Sequence, residues 1–473
     1  MLFSSPLFIF LFLPVVLGCY FLLPAMLRNL LLVVASLLFY AWGEGIYVAV
    51  MLLSMSLNYG FGILIHEFHR QAKWTLGIAV AVNLGMLAFF KYSVFLLQNI
   101  DALLAPLNIN VSAVDPVHLP LGISFFTFHS ISYLIDIYRK DAPAQKKPID
   151  LALYISFFPQ LIAGPIIRYH DISEQLSKRF VGIEDFALGI RRFIIGLGKK
   201  VILANTLAAP ADQIFSLPAD QLTASLAWLG IICYTLQIYF DFSGYSDMAI
   251  GLARLFGFHF LENFNYPYVS RTIQEFWRRW HISLSNWFRD YLYIPLGGNR
   301  VEPWRVYFNL VTVFFLCGLW HGASWNFVIW GMIHGIFLVL ERFGLAKFFA
   351  DAVPWLGHVY ALAVVMIGWV FFRADDLSGA LAYLKAMAGF GSGDGIEYHA
   401  GLYLTGEVAL VLVIAIFASM PLKPLLTKLN LAGLRPVGQV LPVINIGTLA
   451  LVFVIAMSYL AAGTYNPFIY FRF

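Results

Sequence analysis

Two histidines stand where acyl chemistry could be done. His281 lies in EFWRRWHISLSNWFRDYLYIPLGGNR (Glu275 to Arg300), and His321 in GLWHGASWNFVIWG (Gly318 to Gly331). Trp280, Ser283 and Ser285 neighbour the first; Trp320, Gly322, Ser324 and Asn326 neighbour the second. A polar group inside an apolar run is costly at membrane depth unless it is used or well paired. Histidine suits the transfer of an acyl group onto a hydroxyl, because its unperturbed pKa lies near working pH. Desolvation favours the neutral imidazole, which can accept the proton of an attacking hydroxyl. Gly322 and Ala323 leave room for a substrate to reach His321. The other histidines read more plainly. His66, His69, His170, His358 and His399 fall in polar loops or helix ends, and His118 precedes an apolar run. His129 and His334 lie within such runs and read as hydrogen-bonded structural residues.

The elements that must position these rings follow from spacing. Phe276, Trp280, Leu284, Trp287 and Tyr291 recur three and four apart, which predicts one helix over Glu275 to Asp290 with an aromatic face. Trp277, His281 and Ser285 then share a second face. Arg278, Arg279 and Arg289 fall elsewhere. They read either as arginines reaching lipid headgroups or, for Arg278 and Arg279, as contacts to the phosphates of a donor such as coenzyme A. Asp241 and Asp247, in FDFSGYSD, are carboxylates inside an apolar run. Such groups are functional candidates, with pairing to a buried Arg or His as the structural alternative. Asp136, near a helix end, looks similar.

Composition sets the class. Of 473 residues, 60% are hydrophobic and 12% charged, about half the charged fraction usual in soluble proteins. The net charge of +4 gives no argument for nucleic acid. Cys19, Cys233 and Cys317 form no CxxC pair, so neither a disulfide framework nor a metal site is supported. Cys19 follows VVLG, but the first segment reads as an uncleaved membrane helix. No G-x-S-x-G elbow, Walker loop, GxGxxG or HExxH occurs, which argues against a self-contained serine esterase or an ATP-driven pump.

Apolar runs near 6–24, 30–43, 46–65, 75–97, 119–137, 305–320, 324–340, 355–372, 403–420 and 440–462 are each close to spanning length. The run 149–167 holds Pro159, Gly164 and Pro165 and is expected to be kinked or re-entrant. The run 223–256 exceeds one straight span, and Gly230, Gly244, Gly251 and Gly257 offer places to bend or break. The charged stretch 168–200 is expected to be cytoplasmic or interfacial. Lys and Arg placement puts the loop 98–118 in the periplasm, 139–148 in the cytoplasm and the N-terminus outside. The fold class is therefore all-α: one polytopic domain over 1–473, with about 10–13 membrane segments including re-entrant or broken helices. Intramembrane aspartates and broken helices would also suit a polysaccharide or ion transporter.

The sequence resembles the membrane-bound O-acyltransferase family, and within it the bacterial branch that O-acetylates alginate. QIYFDFSGYSDMAIGL (Gln237 to Leu252), ENFNYPY (Glu262 to Tyr268), the WRRWHIS and LWHGA elements and the C-terminal NPFIYFRF (Asn466 to Phe473) carry the resemblance. It implies catalytic roles for His321 and His281, the latter as second base, orienter or substrate contact. It implies an enzyme of the bacterial inner membrane that uses acetyl-CoA as donor, binds no cofactor and passes acetyl groups to a periplasmic SGNH-type partner. That partner would acetylate a polysaccharide: alginate first, cellulose or peptidoglycan otherwise. A lipid-modifying acyltransferase of the same fold is a further alternative. Trp277, Arg278, Arg279, Ser285, Asn326 and Asp241 are candidate substrate or donor contacts.

Overall fold

A chain in lipid must satisfy its own backbone N–H and C=O groups, and the apolar runs do so as helices. The computed structural model describes residues 2–107, 117–352, 354–422, 440–463 and 465–466, with no strand among them. Part of the loop 98–118, the basic residues Lys423, Lys428 and Arg435, and 467–473 of the C-terminal motif lie outside the described residues. Among the described residues, five stretches are long and apolar enough to cross a membrane: Ala25–Glu67, Ala72–Leu107, Ala224–Leu255, Trp325–Phe349 and Trp355–Arg373. Shorter apolar helices cover Phe8–Leu22, Gly406–Ala418 and Asn445–Ala461.

In chain order the helices are α1 (Leu13–Leu22), α2 (Ala25–Glu44), α3 (Val48–Glu67), α4 (Ala72–Leu104), α5 (Ile123–Arg139), α6 (Pro148–Ser156), α7 (Phe158–Leu161), α8 (Tyr169–Ser177) and α9 (Ile183–Gly198). A π-helical turn at Lys199–Ala204 leads into α10 (Asn205–Phe215) and α11 (Ala224–Leu255). Then come α12 (Ile273–Arg279), α13 (Ile282–Phe288), α14 (Pro303–His321), α15 (Trp325–Leu340), α16 (Ala346–Ala352), α17 (Pro354–Arg373), α18 (Leu377–Lys385), α19 (Ala400–Tyr403) and α20 (Gly406–Ala418), with a last helix over Val440–Ala461. Chain contacts group these into two compact units.

The first unit holds Met1–Ile190, Ala249–Leu261 and Gly322–Ser324. α3 packs on α4 and α5, and α2 on α6. Asn58 and Asn83 exchange hydrogen bonds between α3 and α4, each Nδ2 to the other's Oδ1, at 3.1 and 2.8 Å, a polar tie between apolar helices. The run 149–167 is broken as expected: α6 and α7 meet at Phe157, and the Gln160 Nε2 donates to Tyr154 O. His170, at a helix end, is paired with carboxylates. Its ring lies 2.9 Å from Asp136, whose carboxylate also accepts the His170 backbone N–H, and 3.3 Å from Asp171. The two carboxylates raise the His170 pKa to about 9.

The second unit holds Arg191–Met248, Glu262–His321 and Trp325–Phe473. α14 and α15 form its tightest hairpin, because glycine lets the two backbones touch. A methyl group at Gly331 would collide with Phe314 O, and one at Gly318 with Phe327 O. The bend or break expected in the run 223–256 is corrected by the structure. α11 runs unbroken from Ala224 to Leu255. Its Gly244 serves close approach, not bending: a methyl there would come within 2.8 Å of Gly196 O. Lys200, at the end of the charged stretch, is buried within the protein at 2% exposed. It pairs with Asp241 at 2.7 Å and donates to Asn205 Oδ1 at 2.9 Å. Asp247, by contrast, takes its charge partners from the half-exposed Arg192 (2.6 Å) and Lys199 (2.7 Å).

Breaking a buried ion pair leaves one charge uncompensated and costs about 3–5 kcal/mol, whereas replacing both partners by apolar groups is often neutral. Lys200→Met is therefore expected to lower thermal stability in detergent sharply, and Lys200→Met with Asp241→Leu to recover most of the loss. A double variant no more stable than the single one would show that the pair does not act as a unit.

Candidate active site

His281 sits at a backbone break. α12 starts where Thr272 Oγ1 accepts the Glu275 N–H at 3.0 Å and where the buried Glu341 carboxylate accepts the N–H groups of Ile273 and Gln274. It ends after Arg279. Trp280 is extended and His281 adopts the left-handed conformation (φ 43°, ψ 54°) before α13 begins. The single helix expected over Glu275 to Asp290 is therefore two short helices, and Trp277, His281 and Ser285 do not share one face. The cause is tertiary. The Asn265 N–H donates to Arg279 O and the Ile282 N–H to Asn263 O, both at 2.9 Å, so the ENFN loop takes hydrogen bonds that a continuous helix would have kept.

The His281 ring is 1% exposed. Its Nδ1 lies 3.2 Å from Asn263 Oδ1, which also accepts from Ser283 N (3.1 Å) and Ser283 Oγ (2.9 Å). Phe242, from α11, meets the imidazole edge-on with centroids 4.6 Å apart. The Nε2 atom is buried with no hydrogen-bond partner among the described residues. Burial holds the imidazole pKa well below its ordinary range.

His321 closes α14 and is 6% exposed. Its ring packs on Trp330 (4.7 Å) from α15 and Phe372 (5.4 Å) from α17. Trp320 joins the two histidines: its ring lies 4.9 Å from His321 and 6.2 Å from His281. The fold thus gathers both imidazoles around one indole in a setting walled by aromatic rings. In such a setting a positioned base keeps its lone pair from water, and polar contacts made there are stronger than in bulk solvent.

The other candidate residues divide. Trp277 is buried against Phe314 (4.9 Å), His334 (5.2 Å) and Trp330 (5.8 Å), one ring removed from His321. Ser285 is half-buried, its Oγ 3.5 Å from Trp280 O. Asn326 is buried and donates to Ala374 O at 2.8 Å. Asp241 is held by Lys200, while its neighbour Phe242 serves His281. Arg279 pairs with Glu275 at 2.9 Å and donates to Asn265 O. Arg278 is exposed and has no ion pair among the described residues. His334 differs from the expected hydrogen-bonded residue. It is fully buried among Phe276, Trp277, Phe314 and Trp330, and neither ring nitrogen has a hydrogen-bond partner among the described residues. No group of three or more His, Cys, Asp or Glu side chains that could hold a metal occurs among the described residues.

The stretch that contains both histidines also carries the chain's relationships. The family model described as MBOAT, membrane-bound O-acyltransferase family, matches residues 118–372. The chain belongs to this family. It is 42% identical over 502 residues to a protein of Azotobacter vinelandii named "Probable alginate O-acetylase", an alignment that covers all of both chains. It is 41% identical to a peptidoglycan O-acetyltransferase of Helicobacter pylori, over 82% of this chain and 80% of that one. A teichoic acid D-alanyltransferase of Bacillus subtilis is 32% identical over 49% of this chain and 63% of its own. The protein is thus a multi-pass membrane acyltransferase.

Several residues of the candidate site in this membrane-bound O-acyltransferase escape a reading of the sequence. Asn263 is 18 residues from His281 and carries no local signal beyond its place in the ENFN motif. Glu341, which caps α12, is 68 residues from the N–H it accepts. Trp330 and Phe372 look like ordinary apolar residues of membrane helices until the packing of α14, α15 and α17 brings them onto His321.

Proposed function

We propose that this protein is an inner-membrane O-acetyltransferase that takes acetyl groups from cytoplasmic acetyl-CoA and passes them across the membrane for O-acetylation of an exopolysaccharide, alginate. The observation that carries the reading is the pair of buried imidazoles on Trp320, inside a chain that aligns end to end with an alginate O-acetylase. His321 takes the proton of the acceptor hydroxyl as its oxygen attacks the thioester carbonyl. The C–O bond forms, the C–S bond breaks, and the departing thiolate recovers the proton from the imidazolium. His281 accepts a hydrogen bond from the bound substrate and orients it. Trp277 lines the acyl side of this setting, and the exposed Arg278 is the more available of the two arginines for donor phosphates. A periplasmic SGNH-type acetyltransferase receives the group and places it on the polymer; lipid is the solvent, and nucleic acid is not a partner.

The peptidoglycan O-acetyltransferase relative supports a second reading for the polymer, with the same chemistry. Deleting the gene in its host and analysing both polymers tests the two. Loss of acetyl groups from alginate, restored by the wild-type gene, is expected. Loss from peptidoglycan alone would replace the first reading with the second. Purified protein in vesicles should release CoA from acetyl-CoA when the acceptor partner is added, and failure to consume acetyl-CoA would overturn both.

A further inference from the structure

Asn263 is the side chain that grips His281, and its hydrogen bonds decide which nitrogen of that ring carries the proton. Asn263 is 1% exposed. One atom of its amide faces three groups: Ser283 N, Ser283 Oγ and His281 Nδ1. The Ser283 backbone N–H can only donate. The amide atom 3.1 Å from it must therefore be the oxygen, which removes the usual ambiguity between the two ends of an asparagine. An oxygen of this kind only accepts, so His281 Nδ1 must hold a hydrogen to bond to it. A neutral imidazole has one N–H. Nε2, buried and without a hydrogen-bond partner among the described residues, is left with its lone pair.

The backbone is built for the same end. A left-handed conformation is costly for a residue other than glycine and persists only where its surroundings over-determine it. Here the Asn263 main chain accepts the Ile282 N–H and its side chain accepts the Ser283 N–H, one on each of the two residues after His281. One asparagine therefore sets both the backbone that aims the ring and the tautomer the ring adopts.

We propose that Asn263 is a positioning residue for acyl transfer: it locks His281 in the Nδ1–H form, so that Nε2 presents an acceptor and not a donor to the substrate. This rests on the assignment of His281 to the acyl-transfer site. It follows that neutral His281 cannot donate to the oxyanion of a tetrahedral intermediate; it holds a substrate O–H or N–H by its hydrogen. A purely structural Asn263 would have no such consequence.

Nitrogen-15 NMR of histidine-labelled full-length protein in nanodiscs reads the tautomer directly, with the His281 signals assigned by their absence in His281→Asn. Wild type should show a protonated Nδ1 and an unprotonated Nε2. Asn263→Leu removes the acceptor, so the tautomers mix and the ring loses its aim; kcat should fall by about a hundredfold, the loss expected for His281→Gly, with KM for acetyl-CoA little changed. Asn263→Asp keeps an acceptor for all three donors and adds a negative charge. It should stay folded, retain most activity, keep the Nδ1–H form, and move the acid limb of the pH–rate profile upward by about 1–3 units. The sign is that of a carboxylate favouring the imidazolium. A protonated Nε2 in the wild type would overturn the proposal. So would Asn263→Leu within about twofold of wild-type kcat, or Asn263→Asp with no shift of the profile. A fully active His281→Gly protein would instead overturn the assignment of His281 to the site, while the NMR result still judged Asn263.

Discussion

His321→Ala is expected to cut polymer O-acetylation by about a hundredfold to ten-thousandfold, the usual contribution of a positioned general base. The protein should still insert, and the polymer should still be made. The expectation rests on where the ring sits: at the end of α14, against Trp330 and Phe372, with Trp320 between it and His281. His334 is the internal control, because it is buried in the same aromatic region. Its surroundings are ring faces rather than hydrogen-bond partners, so His334→Phe keeps the shape and should leave both abundance and acetylation within about threefold of wild type. Acetylation and membrane abundance must be measured together. Near-normal acetylation in His321→Ala, or a loss matched by lower abundance, would sink the assignment of the base.

The second large effect concerns His281, and the choice of replacement decides what is learned. Alanine changes two things at once, since it removes the imidazole and must also hold φ 43°. Glycine adopts that conformation freely, and asparagine tolerates it better than most side chains. His281→Gly against His281→Asn therefore isolates the side chain. If Nε2 only accepts a hydrogen bond from the substrate, Asn restores an acceptor, and His281→Asn should keep at least about a tenth of wild-type activity while His281→Gly loses about a hundredfold or more. Equal and complete losses at normal abundance would make His281 itself the proton acceptor and displace the orienting role.

Features that depend on a single stretch of chain are legible in the residues alone. An apolar run of spanning length must be helical in lipid wherever its neighbours lie, so α2, α3, α4, α14, α15 and α17 could be read directly. The kink in 149–167 was legible because proline and glycine impose it locally. His281 and His321 stood out because an imidazole among Trp, Phe and Leu is costly wherever the fold puts it. The tertiary structure decided the partners, since a hydrogen bond or ion pair has no sequence period. Lys200 reads as one more charge of a basic stretch until α11 brings Asp241 to within 2.7 Å of it. The spacing of Phe276, Trp280, Leu284, Trp287 and Tyr291 favoured one continuous helix. The ENFN loop won because its groups replace the helical hydrogen bonds lost at His281 with others of comparable strength. The glycines of α11 likewise signalled a bend from the sequence, whereas in the fold Gly244 lets Gly196 approach. Glycine is small and permissive at once, and only the neighbouring chain determines which property is used.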